Sequence, residues 1–299
     1  MVTTVFVTGA GGFVGRNLVP ELIEKDYSVV AFDIIHLQGI LPENTNCIFK
    51  QGDITNKKEL KKAIKNCQVV IHLAGVIGSS DYQKNYQIHV EGTKNLIAAC
   101  KNNKIQRIIA YSSIAAAKEK TGSYGATKKE LEQLFLKEKN LNTTILRPTM
   151  ILGYKGKGID TIVKQIKSYP LFIPVIGNAQ RHPIWIKDIA RLTIGLLENE
   201  NSFGKTYDVG GEESISFKDF VKMTRKELGV KKITLPLPLF LAKTLARLME
   251  KYTKKPLFTY ENVCNLAMDE NIDINALKEI GFQSTPLSQS LPEVLKEYK

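Results

Sequence analysis

The chain has 299 residues, of which 43% are hydrophobic and 24% charged, and it carries a formal net charge of +12 at pH 7. These values are ordinary for a globular protein in water, and the length allows a large core with an appended lobe. No apolar run reaches the ~18 residues that a membrane helix needs, and no internal repeat or low-complexity tract is present, so a membrane-spanning or repeat protein is excluded.

The positive charge is spread along the predicted helices rather than concentrated in one block. Nucleic-acid binding normally requires basic residues clustered on one face, so we do not expect a nucleic-acid partner. A diffuse positive field favours instead a small phosphorylated ligand.

The four cysteines lack the spacing of a metal site or of a disulfide framework. They form no C-x-x-C pair and have no histidine-rich segment beside them, so we predict no metal and no disulfide. We expect reduced and mostly buried thiols at these positions, which are Cys47, Cys67, Cys100 and Cys264.

The first apolar run, Val5–Val7, lies only a few residues from Met1. A secretory signal peptide needs a charged segment, an apolar segment and a cleavage site before the mature domain. We find no room for these features and therefore expect a cytoplasmic protein.

Val5–Val7 predicts a strand, and the glycine-rich segment Thr8–Gly15 and a helical pattern of apolar residues follow it. The glycine spacing, G-x-x-G-x-x-G, allows a tight turn, a close approach of the backbone to a ligand, and close packing of helix on sheet. Free N–H groups at the start of the helix favour a pyrophosphate. We therefore predict a dinucleotide-binding turn with contacts from Gly9, Gly11, Gly12, Phe13, Val14 and Gly15.

The next predicted strand, 29–32, is followed directly by Asp33. A carboxylate at this position accepts hydrogen bonds from an adenosine ribose and repels a 2′-phosphate. We therefore expect NAD rather than NADP as the cofactor. Arg16, which follows the glycine turn, is the residue that would favour NADP.

Apolar β-branched runs alternate with longer helical patterns up to about residue 150, which is typical of a parallel sheet with helices on both faces. The predicted strands after the second are 47–49, 69–73, 105–111 and 143–146, with Pro148 ending the last because proline cannot continue a central strand. The predicted helices are 57–65, 82–101 and one that begins near Tyr124.

Beyond residue 150 the pattern changes and becomes mainly helical. We predict strands at 171–176, 184–186 and 206–209, a turn at 177–178, and helices ending near 168 and at 188–197, 217–227, 239–251, 260–266, 275–280 and 291–297. Strand 184–186 and helix 188–197 resemble pieces of the first sheet, so we expect the chain to return to it.

These elements predict an α/β protein with a Rossmann-type doubly wound parallel sheet and a smaller, mostly helical C-terminal lobe. We divide it into an NAD-binding domain, 1–150, whose sheet residues 180–210 complete, and a mainly substrate-binding lobe, 151–299. The amphipathic segment Leu239–Met249 is expected to pack on the neighbouring lobe or on a second subunit rather than on a membrane.

Tyr124 and Lys128 lie four positions apart, which places a phenol and an ammonium on one face of a predicted helix. A nearby positive charge lowers the pKa of a tyrosine, which then serves as a general acid and base. Ser113, at the end of a predicted strand, supplies a second hydrogen bond to the same substrate oxygen. We predict that these three residues hold a carbinol or carbonyl while hydride moves to or from a nicotinamide.

The chain resembles the extended short-chain dehydrogenase/reductase superfamily, and within it the NAD-dependent epimerases and dehydratases that act on nucleotide sugars. The motifs that carry the resemblance are Thr8–Gly15, Asp33, Asp53-Ile54, Leu73-Ala74-Gly75, Gly92–Asn95, Ser112-Ser113, Tyr124 with Lys128, Leu146–Pro148 and Arg181–Asp188.

The resemblance implies roles for further residues. Asp53 and Ile54 would flank the adenine, Ala74 and Gly75 would line the nicotinamide side, and Lys128 would also hold the nicotinamide ribose. Arg181 would contact the phosphates of a nucleotide sugar. The remaining cofactor contacts that the resemblance implies are Leu73, Ser112, Tyr124 and Pro148.

Two positions depart from the family pattern. His89 stands where the family usually has asparagine, and we expect it to be a packed or solvent-exposed histidine. The connection from Ser113 to Tyr124 is shorter than in typical sugar epimerases. The shorter connection resembles a divergent branch that includes reductases and the NAD(P)H-binding accessory subunit of respiratory complex I.

These observations leave three hypotheses. The favoured one is an epimerase or dehydratase in which bound NAD oxidises a nucleotide-sugar hydroxyl and returns the hydride. The second is a reductase or dehydrogenase of a keto sugar or another small carbonyl compound that exchanges its cofactor in each cycle. The third is a non-catalytic dinucleotide-binding accessory protein. The superfamily often dimerises through the helices that correspond to 82–101 and 124–139, so we expect a homodimer.

Overall fold

A computed structural model describes residues 2–119, 121–168, 172–176, 178–253 and 260–299. The chain forms two compact units. The first consists of Met1–Pro148, Ile186–Val209 and Asn275–Phe282, and the second of Thr149–Trp185, Gly210–Ile274 and Gln283–Lys299. The chain therefore returns to its first unit twice after leaving it at Pro148.

The first unit is built on a seven-stranded parallel sheet. Its strands are β1 (Thr4–Thr8), β2 (Ser28–Asp33), β3 (Cys47–Gln51), β4 (Val69–His72), β5 (Arg107–Tyr111), β6 (Asn142–Pro148) and β11 (Thr206–Val209). Their order across the sheet is β11-β6-β5-β4-β1-β2-β3, so the chain moves outward from β1 in both directions. This arrangement confirms the predicted doubly wound α/β fold.

The helices of the first unit cover the sheet. They are α1 (Phe13–Glu24), α2 (Lys57–Ala63), α3 (Tyr82–Tyr86), α4 (Gly92–Asn102), α5 (Ser123–Lys137), α7 (Ile186–Gly195) and α11 (Asn275–Lys278). The predicted helix 82–101 is interrupted by a π-helical turn at Gln87–Glu91, which joins α3 to α4. Such turns insert one extra residue and are frequent at functional sites.

The second unit contains the remaining elements. Its strands are β7 (Ile151–Leu152), β8 (Phe172–Ile176), β9 (Gln180–Arg181), β10 (Ile184–Trp185), β12 (Ile215–Ser216) and β13 (Ile233–Leu237). Its helices are α6 (Lys157–Ser168), α8 (Phe217–Glu227), α9 (Leu239–Tyr252), α10 (Tyr260–Leu266) and α12 (Leu287–Lys296). The strands form two-stranded sheets, β10-β7, β12-β9 and β13-β8.

Several sequence predictions in this region are wrong. Ile184 and Trp185 pair with Ile151 and Leu152 rather than with the first sheet, and Ile186 already begins α7. The segment Ile233–Leu237, which lies between two predicted helices and has no predicted element of its own, is a strand beside β8. Its sequence contains a proline, which disfavours a helix.

Smaller differences concern the boundaries of elements. The last helix begins at Leu287 rather than 291 and contains Pro292. Strand β6 continues through Pro148, which pairs with Val209 at the end of the sheet, where one missing N–H is tolerated. The predicted positions 171 and 177 lie outside the described residues.

Each unit has its own apolar core. In the first, Phe6 and Phe32 pack with ring centroids 5.5 Å apart. In the second, Ile159, Phe220 and Leu291 are fully buried. Helix α9 buries its alanines, Ala242 and Ala246, and exposes Phe240, Leu241, Leu245, Leu248 and Tyr252. Within the described ranges, no helix is long and apolar enough to cross a bilayer.

Candidate active site

The glycine turn lies at the carboxyl end of β1. Gly9 has φ +70°, and a Cβ atom there would lie 2.7 Å from the backbone nitrogen of Ala74. A Cβ atom on Gly15 would lie 2.5 Å from the carbonyl oxygen of Ala10. Only glycine fits at either position, because the obstructing atoms are backbone. The turn leads into α1, whose first N–H groups point to where an anion can bind.

Asp33 lies beside this turn at the end of β2. Its Oδ2 atom accepts a 2.9 Å hydrogen bond from the backbone N–H of Gly11, and Oδ1 accepts one of 3.3 Å from Ile35. Ile34 and Ile35 are exposed. The guanidinium of Arg16 lies 5.6 Å from the ring centroid of Phe13. The carboxylate is thus fixed at the rim of the turn with apolar side chains next to it.

Asp53 and Ile54 follow β3. The Asp53 carboxylate accepts a 2.8 Å hydrogen bond from the Thr55 N–H, and its own N–H donates to Glu59 at 2.8 Å. Ile54 is buried, and its side chain packs beneath Gly92 at the start of α4. The two residues therefore form a rigid turn at the carboxyl edge of the sheet.

Further along this edge, Ser112 follows β5. Its Oγ atom is buried and has no hydrogen-bond partner among the described residues. An unsatisfied buried hydroxyl is unfavourable unless another molecule completes its hydrogen bonding. Leu73, Ala74 and Gly75 follow β4, and Pro148 ends β6, so each of these predicted cofactor contacts lies at the same edge.

Ser113, Tyr124 and Lys128 come together as predicted from their positions. Ser113 lies close enough to the Tyr124 phenol for its hydroxyl to lower the pKa of that group, and the hydroxyl also caps the turn Ile114–Ala117 by accepting from the Ala115 N–H at 3.2 Å. Lys128 is only 4% exposed, and its Nζ donates a 2.8 Å hydrogen bond to the Tyr111 carbonyl. The site therefore places a phenol, a hydroxyl and a buried ammonium on adjacent elements.

The electrostatics of this group differ from the prediction in one respect. Burial raises the pKa of Tyr124, and the Ser113 hydrogen bond lowers it by less, so the predicted fall towards neutrality is wrong for the protein alone. Burial lowers the pKa of Lys128 to about 8, against the opposing charge of Glu132. For both groups the cost of desolvating the charged form is the largest cause of the shift in pKa.

His89 is fully buried and lies in the π-helical turn. Its Nε2 accepts a 3.0 Å hydrogen bond from the Val76 N–H, and its Nδ1 lies 2.9 Å from Oγ1 of Thr127. The imidazole packs edge-on against the Tyr124 ring, with centroids 5.6 Å apart. Burial and the charge of Lys128 lower its pKa to about 3. His89 is therefore a neutral, packed side chain beside the tyrosine.

A second buried histidine connects β1, β4 and α4. Nδ1 of His72 lies 2.8 Å from Oγ1 of Thr8, and Nε2 lies 3.1 Å from Oγ1 of Thr93. The Thr93 hydroxyl donates to the His89 carbonyl at 2.6 Å, and the Ala74 N–H donates to Thr8 at 3.2 Å. Each polar group in this series of hydrogen bonds has a partner, so the series holds the carboxyl ends of two central strands in fixed positions.

Glu132 and Arg147 form an ion pair behind Lys128. The distances are 2.8 Å from Nε to Oε1 and 2.6 Å from Nη2 to Oε2, so the pair is bidentate. The Arg147 guanidinium also lies 3.5 Å from Asp208. Because Glu132 is one helical turn after Lys128, its negative charge raises the pKa of that lysine.

Arg181 belongs to the second unit. Its Nη1 donates a 3.1 Å hydrogen bond to Oε1 of Glu270, and Oε2 of the same carboxylate accepts from the His182 N–H at 3.1 Å. Both side chains are buried. The predicted phosphate contact of Arg181 stays a prediction, and a phosphate would have to compete with this carboxylate.

Sequence reasoning missed His72, Thr8, Thr93, Glu132 and the three contacts of His89. Two signals are present in the sequence. Thr8 directly follows the predicted strand Val5–Val7, and Glu132 continues the helical spacing that begins with Tyr124 and Lys128. The partners of the histidines have no local signal, because each pair is far apart in sequence.

The residues present fit a pyridine dinucleotide. The glycine turn leads into the N-terminus of α1, which offers backbone N–H groups to a pyrophosphate. Asp33 offers a carboxylate to a ribose, and Ser112 offers an unsatisfied hydroxyl. No cluster of three or more metal-ligating side chains was found in the part of the chain that the structure describes. Chemically, the arrangement can hold one oxygen of a carbinol or carbonyl and transfer its proton.

Comparison with known proteins gives the family of the chain and solved structures of similar fold. The profile described as "NAD dependent epimerase/dehydratase family" matches residues 5–210. The mitochondrial NADH dehydrogenase [ubiquinone] 1 alpha subcomplex subunit 9 of Dictyostelium discoideum is 26% identical over 100% of this chain and 85% of its own. The UDP-glucose 4-epimerase of Vibrio cholerae is 24% identical over 84% of each chain. The solved structure of the Thermotoga maritima UDP-glucose 4-epimerase with UDP-glucose has a TM-score of 0.77 at 18% identity, covering 99% of this chain and 98% of its own.

Proposed function

The chain belongs to the NAD dependent epimerase/dehydratase family, and from this premise we propose that it is an enzyme of the epimerase or dehydratase type. It moves hydride between bound NAD and a carbinol or keto carbon of a nucleotide sugar, with Tyr124 as acid and base. The observation that carries the proposal is the convergence of Ser113, Tyr124 and the buried Lys128 at the carboxyl edge of the sheet. A protein that only binds a dinucleotide has no physical need for this set.

The cofactor is held by the residues of the first unit. Backbone N–H groups of the turn Gly9–Gly15 bind its pyrophosphate, and Asp33 binds the adenosine ribose. Asp33 is followed by the apolar side chains of Ile34 and Ile35, so a 2′-phosphate would meet a negative charge beside apolar surface. We therefore propose NAD rather than NADP. When bound, NAD accepts hydride from a carbinol carbon and returns it to the keto carbon.

Proton transfer is the task of Tyr124. The phenol receives or donates the proton of the substrate oxygen, and Ser113 donates a second hydrogen bond to that oxygen. Because burial raises the pKa of Tyr124, the phenolate needs a positive charge close by. Lys128 supplies that charge from the next helical turn. It can do so only while it is protonated, which its pKa of about 8 permits at neutral pH.

Substrate recognition is assigned to the second unit, as for the predicted lobe 151–299. Arg181 is the phosphate ligand that the family resemblance implies, and it would exchange Glu270 for a substrate phosphate. In the epimerase reaction the sugar hydroxyl would be oxidised to a ketone, most simply at C4. The keto sugar would then rotate in the site and take the hydride back on its opposite face.

Two measurements test this proposal. The first is mass spectrometry of the nucleotide released on denaturing the purified protein, where near-stoichiometric NAD supports a reaction that recycles its hydride in place. The second is turnover of a nucleotide-sugar panel by the wild type, Tyr124→Phe and Tyr82→Phe. Tyr82 is an exposed tyrosine bonded to Glu130, so its phenylalanine variant should keep full activity. Full turnover by Tyr124→Phe would contradict the proposal.

A reductase or dehydrogenase of other carbonyl compounds is the second candidate. The short connection between Ser113 and Tyr124 favours a reductase or dehydrogenase, because it supplies few residues to line the substrate side of the site. This activity would be supported if the purified protein carries no bound nucleotide and steadily consumes NADH or NADPH when it is given a panel of carbonyl compounds.

A non-catalytic accessory role is the third candidate. It is favoured by the full-length similarity to a subunit of a mitochondrial NADH dehydrogenase and by the engagement of Arg181 with Glu270. Dinucleotide binding without turnover on either panel would support this role against both enzymatic ones.

A further inference from the structure

His89 makes two hydrogen bonds that together fix its protonation. Nε2 accepts from the backbone N–H of Val76, so Nε2 carries no proton. A neutral imidazole then carries its proton on Nδ1 and donates it to Oγ1 of Thr127. The Thr127 hydroxyl can donate onward to the carbonyl of Ser123 or Tyr124, at 3.0 and 3.1 Å.

These bonds join two segments that are remote in sequence. Val76 lies in the segment after β4, next to Gly75, whose Cβ position would be 3.2 Å from Nε2 of His89 and 3.4 Å from Nζ of Lys128. Thr127 lies in α5 between Tyr124 and Lys128, and the imidazole edge also contacts the Tyr124 ring. One side chain therefore contacts the Gly75–Val76 segment and the helix that carries both Tyr124 and Lys128.

The length of the side chain matters for this contact. An asparagine amide reaches roughly to the position of Nδ1 in a histidine, whereas a glutamine amide reaches roughly to that of Nε2. Asparagine at position 89 would therefore leave the Val76 N–H without its acceptor, and glutamine would retain it. His89 itself lies in the π-helical turn Gln87–Glu91.

We propose that His89 is a positioning residue that holds the Gly75–Val76 segment against α5 and thereby sets the geometry of the nicotinamide half of the cofactor site. This inference rests on the proposed NAD site. It assigns no proton transfer to His89 and no contact with the adenosine half. The imidazole acts through its rigid, fixed tautomer, because a ring with both nitrogens bonded cannot rotate without losing both bonds.

The test compares NADH with ADP-ribose, which lacks the nicotinamide. In His89→Asn the affinity for NADH should fall about tenfold, because binding must reorder a segment that has lost a partly buried hydrogen bond. The affinity for ADP-ribose should stay within about twofold. His89→Gln should recover most of the NADH affinity, and His36→Asn, at an exposed histidine, should change neither affinity. Fluorescence titration of NADH and calorimetry of ADP-ribose measure these values.

Each outcome decides the inference. An equal loss of affinity for both ligands in His89→Asn would show a general effect on folding. Unchanged NADH affinity would show that the contact does not matter for binding. Either result overturns the inference. If His89→Asn does not fold, His89→Gln carries the test, and weak NADH binding with intact ADP-ribose binding in that variant contradicts the argument from reach. Failure of the wild type to bind either ligand would instead overturn the proposed NAD site, and with it this inference.

The tautomer can be measured on the wild-type protein without any ligand. Nitrogen-15 spectra of the histidine side chains should show one ring that is protonated at Nδ1 and stays neutral to pH 5. His89→Gln identifies that ring by its disappearance. An Nε2-protonated tautomer, or titration above pH 5, would contradict the assigned hydrogen bonds.

Discussion

The Nζ atom of Lys128 donates a 2.8 Å hydrogen bond to the carbonyl oxygen of Tyr111, at the buried end of β5. The lysine is almost fully buried, so its ammonium group loses most of its hydration. The Tyr111 carbonyl and the negative charge of Glu132 compensate for part of that loss. Burial therefore lowers its pKa to about 8, while His72 and His89 nearby stay neutral. The site thus holds a cation that the fold stabilises poorly.

Lys128→Met should stabilise the protein at neutral pH. The pKa of the lysine is about 8 when folded and 10.5 in the reference state, so the unfolded chain binds more protons between these values. The cost of the buried charge is present below pH 8 and disappears as the pH rises towards 10.5. We expect the variant to gain about 2 kcal/mol at pH 7, after allowing for the lost hydrogen bond, and to lose this advantage by pH 10. Urea denaturation across this range measures the gap, and a gap independent of pH would contradict the buried charge.

Glu132→Gln should shift that pH dependence. The Glu132 charge raises the pKa of Lys128, so its removal lowers this pKa further below about 8. The pH at which stability begins to rise should therefore move down. The variant should also lose about 3 kcal/mol, because Arg147 loses a buried bidentate partner. Glu91→Gln, which breaks an exposed pair with Lys94, is the control and should change neither quantity. An unmoved pH midpoint would show that Glu132 does not act on Lys128.

Arg107→Met should be strongly destabilising. The buried guanidinium donates to the carbonyls of Leu196, Leu197 and Asn142 and to the hydroxyls of Thr144 and Ser202. Methionine fills part of the volume but leaves these acceptors unsatisfied, so we expect a loss of about 3 kcal/mol in the free energy of unfolding. Chemical denaturation measures it, with Lys94→Gln on the surface as the control. A loss no larger than that of the control would mean that water replaces the guanidinium.

Thr8→Val tests the hydrogen-bond chain through His72. Valine keeps the shape of threonine but removes the oxygen that accepts from the Ala74 N–H and bonds to Nδ1 of His72. One buried group, the His72 imidazole, and one partly buried group, the Ala74 N–H, lose their partner, so the expected loss is about 2 kcal/mol. Thr161→Val is the matched control, since that exposed hydroxyl bonds to the Lys157 carbonyl of its own helix. Similar midpoints for the two variants in urea would refute the role given to Thr8.

Asp33→Asn should change cofactor preference. The amide oxygen can still accept from the Gly11 N–H, so the turn keeps its shape. The negative charge that repels a 2′-phosphate is removed, and the ratio of NADH to NADPH affinity should fall about tenfold. Fluorescence titration of both cofactors measures the ratio. If it does not change, Asp33 does not select the cofactor, and Arg16 becomes the residue to vary next.

Local sequence patterns are sufficient to predict the first unit up to Pro148. The alternation of β-branched runs with helical periods predicts the parallel sheet, because strands covered on both faces must be apolar throughout. The turn at Gly9–Gly15 and the pair Tyr124 and Lys128 are equally local, since the roles proposed for them depend on positions within one turn or one helix. Short-range spacing is therefore enough to locate such features along the chain.

The second unit is harder to predict because its elements depend on partners. Strand β13 contains a proline and pairs with β8, and β10 pairs with β7 rather than with the large sheet. Short strands contain too few residues for their pattern of apolar and polar positions to predict which strand they pair with.

The fold class, the dinucleotide turn and the candidate proton-transfer group follow from residue patterns along the chain. The protonation and surroundings of that group follow from tertiary packing: the raised pKa of Tyr124, the lowered pKa of Lys128, the contacts of His89 and the engagement of Arg181 with Glu270. The features of the first kind can be predicted from sequence because the hydrogen-bond pattern of a helix or turn is set by its own residues. Desolvation and buried polar contacts are set by side chains that folding brings together from distant parts of the chain.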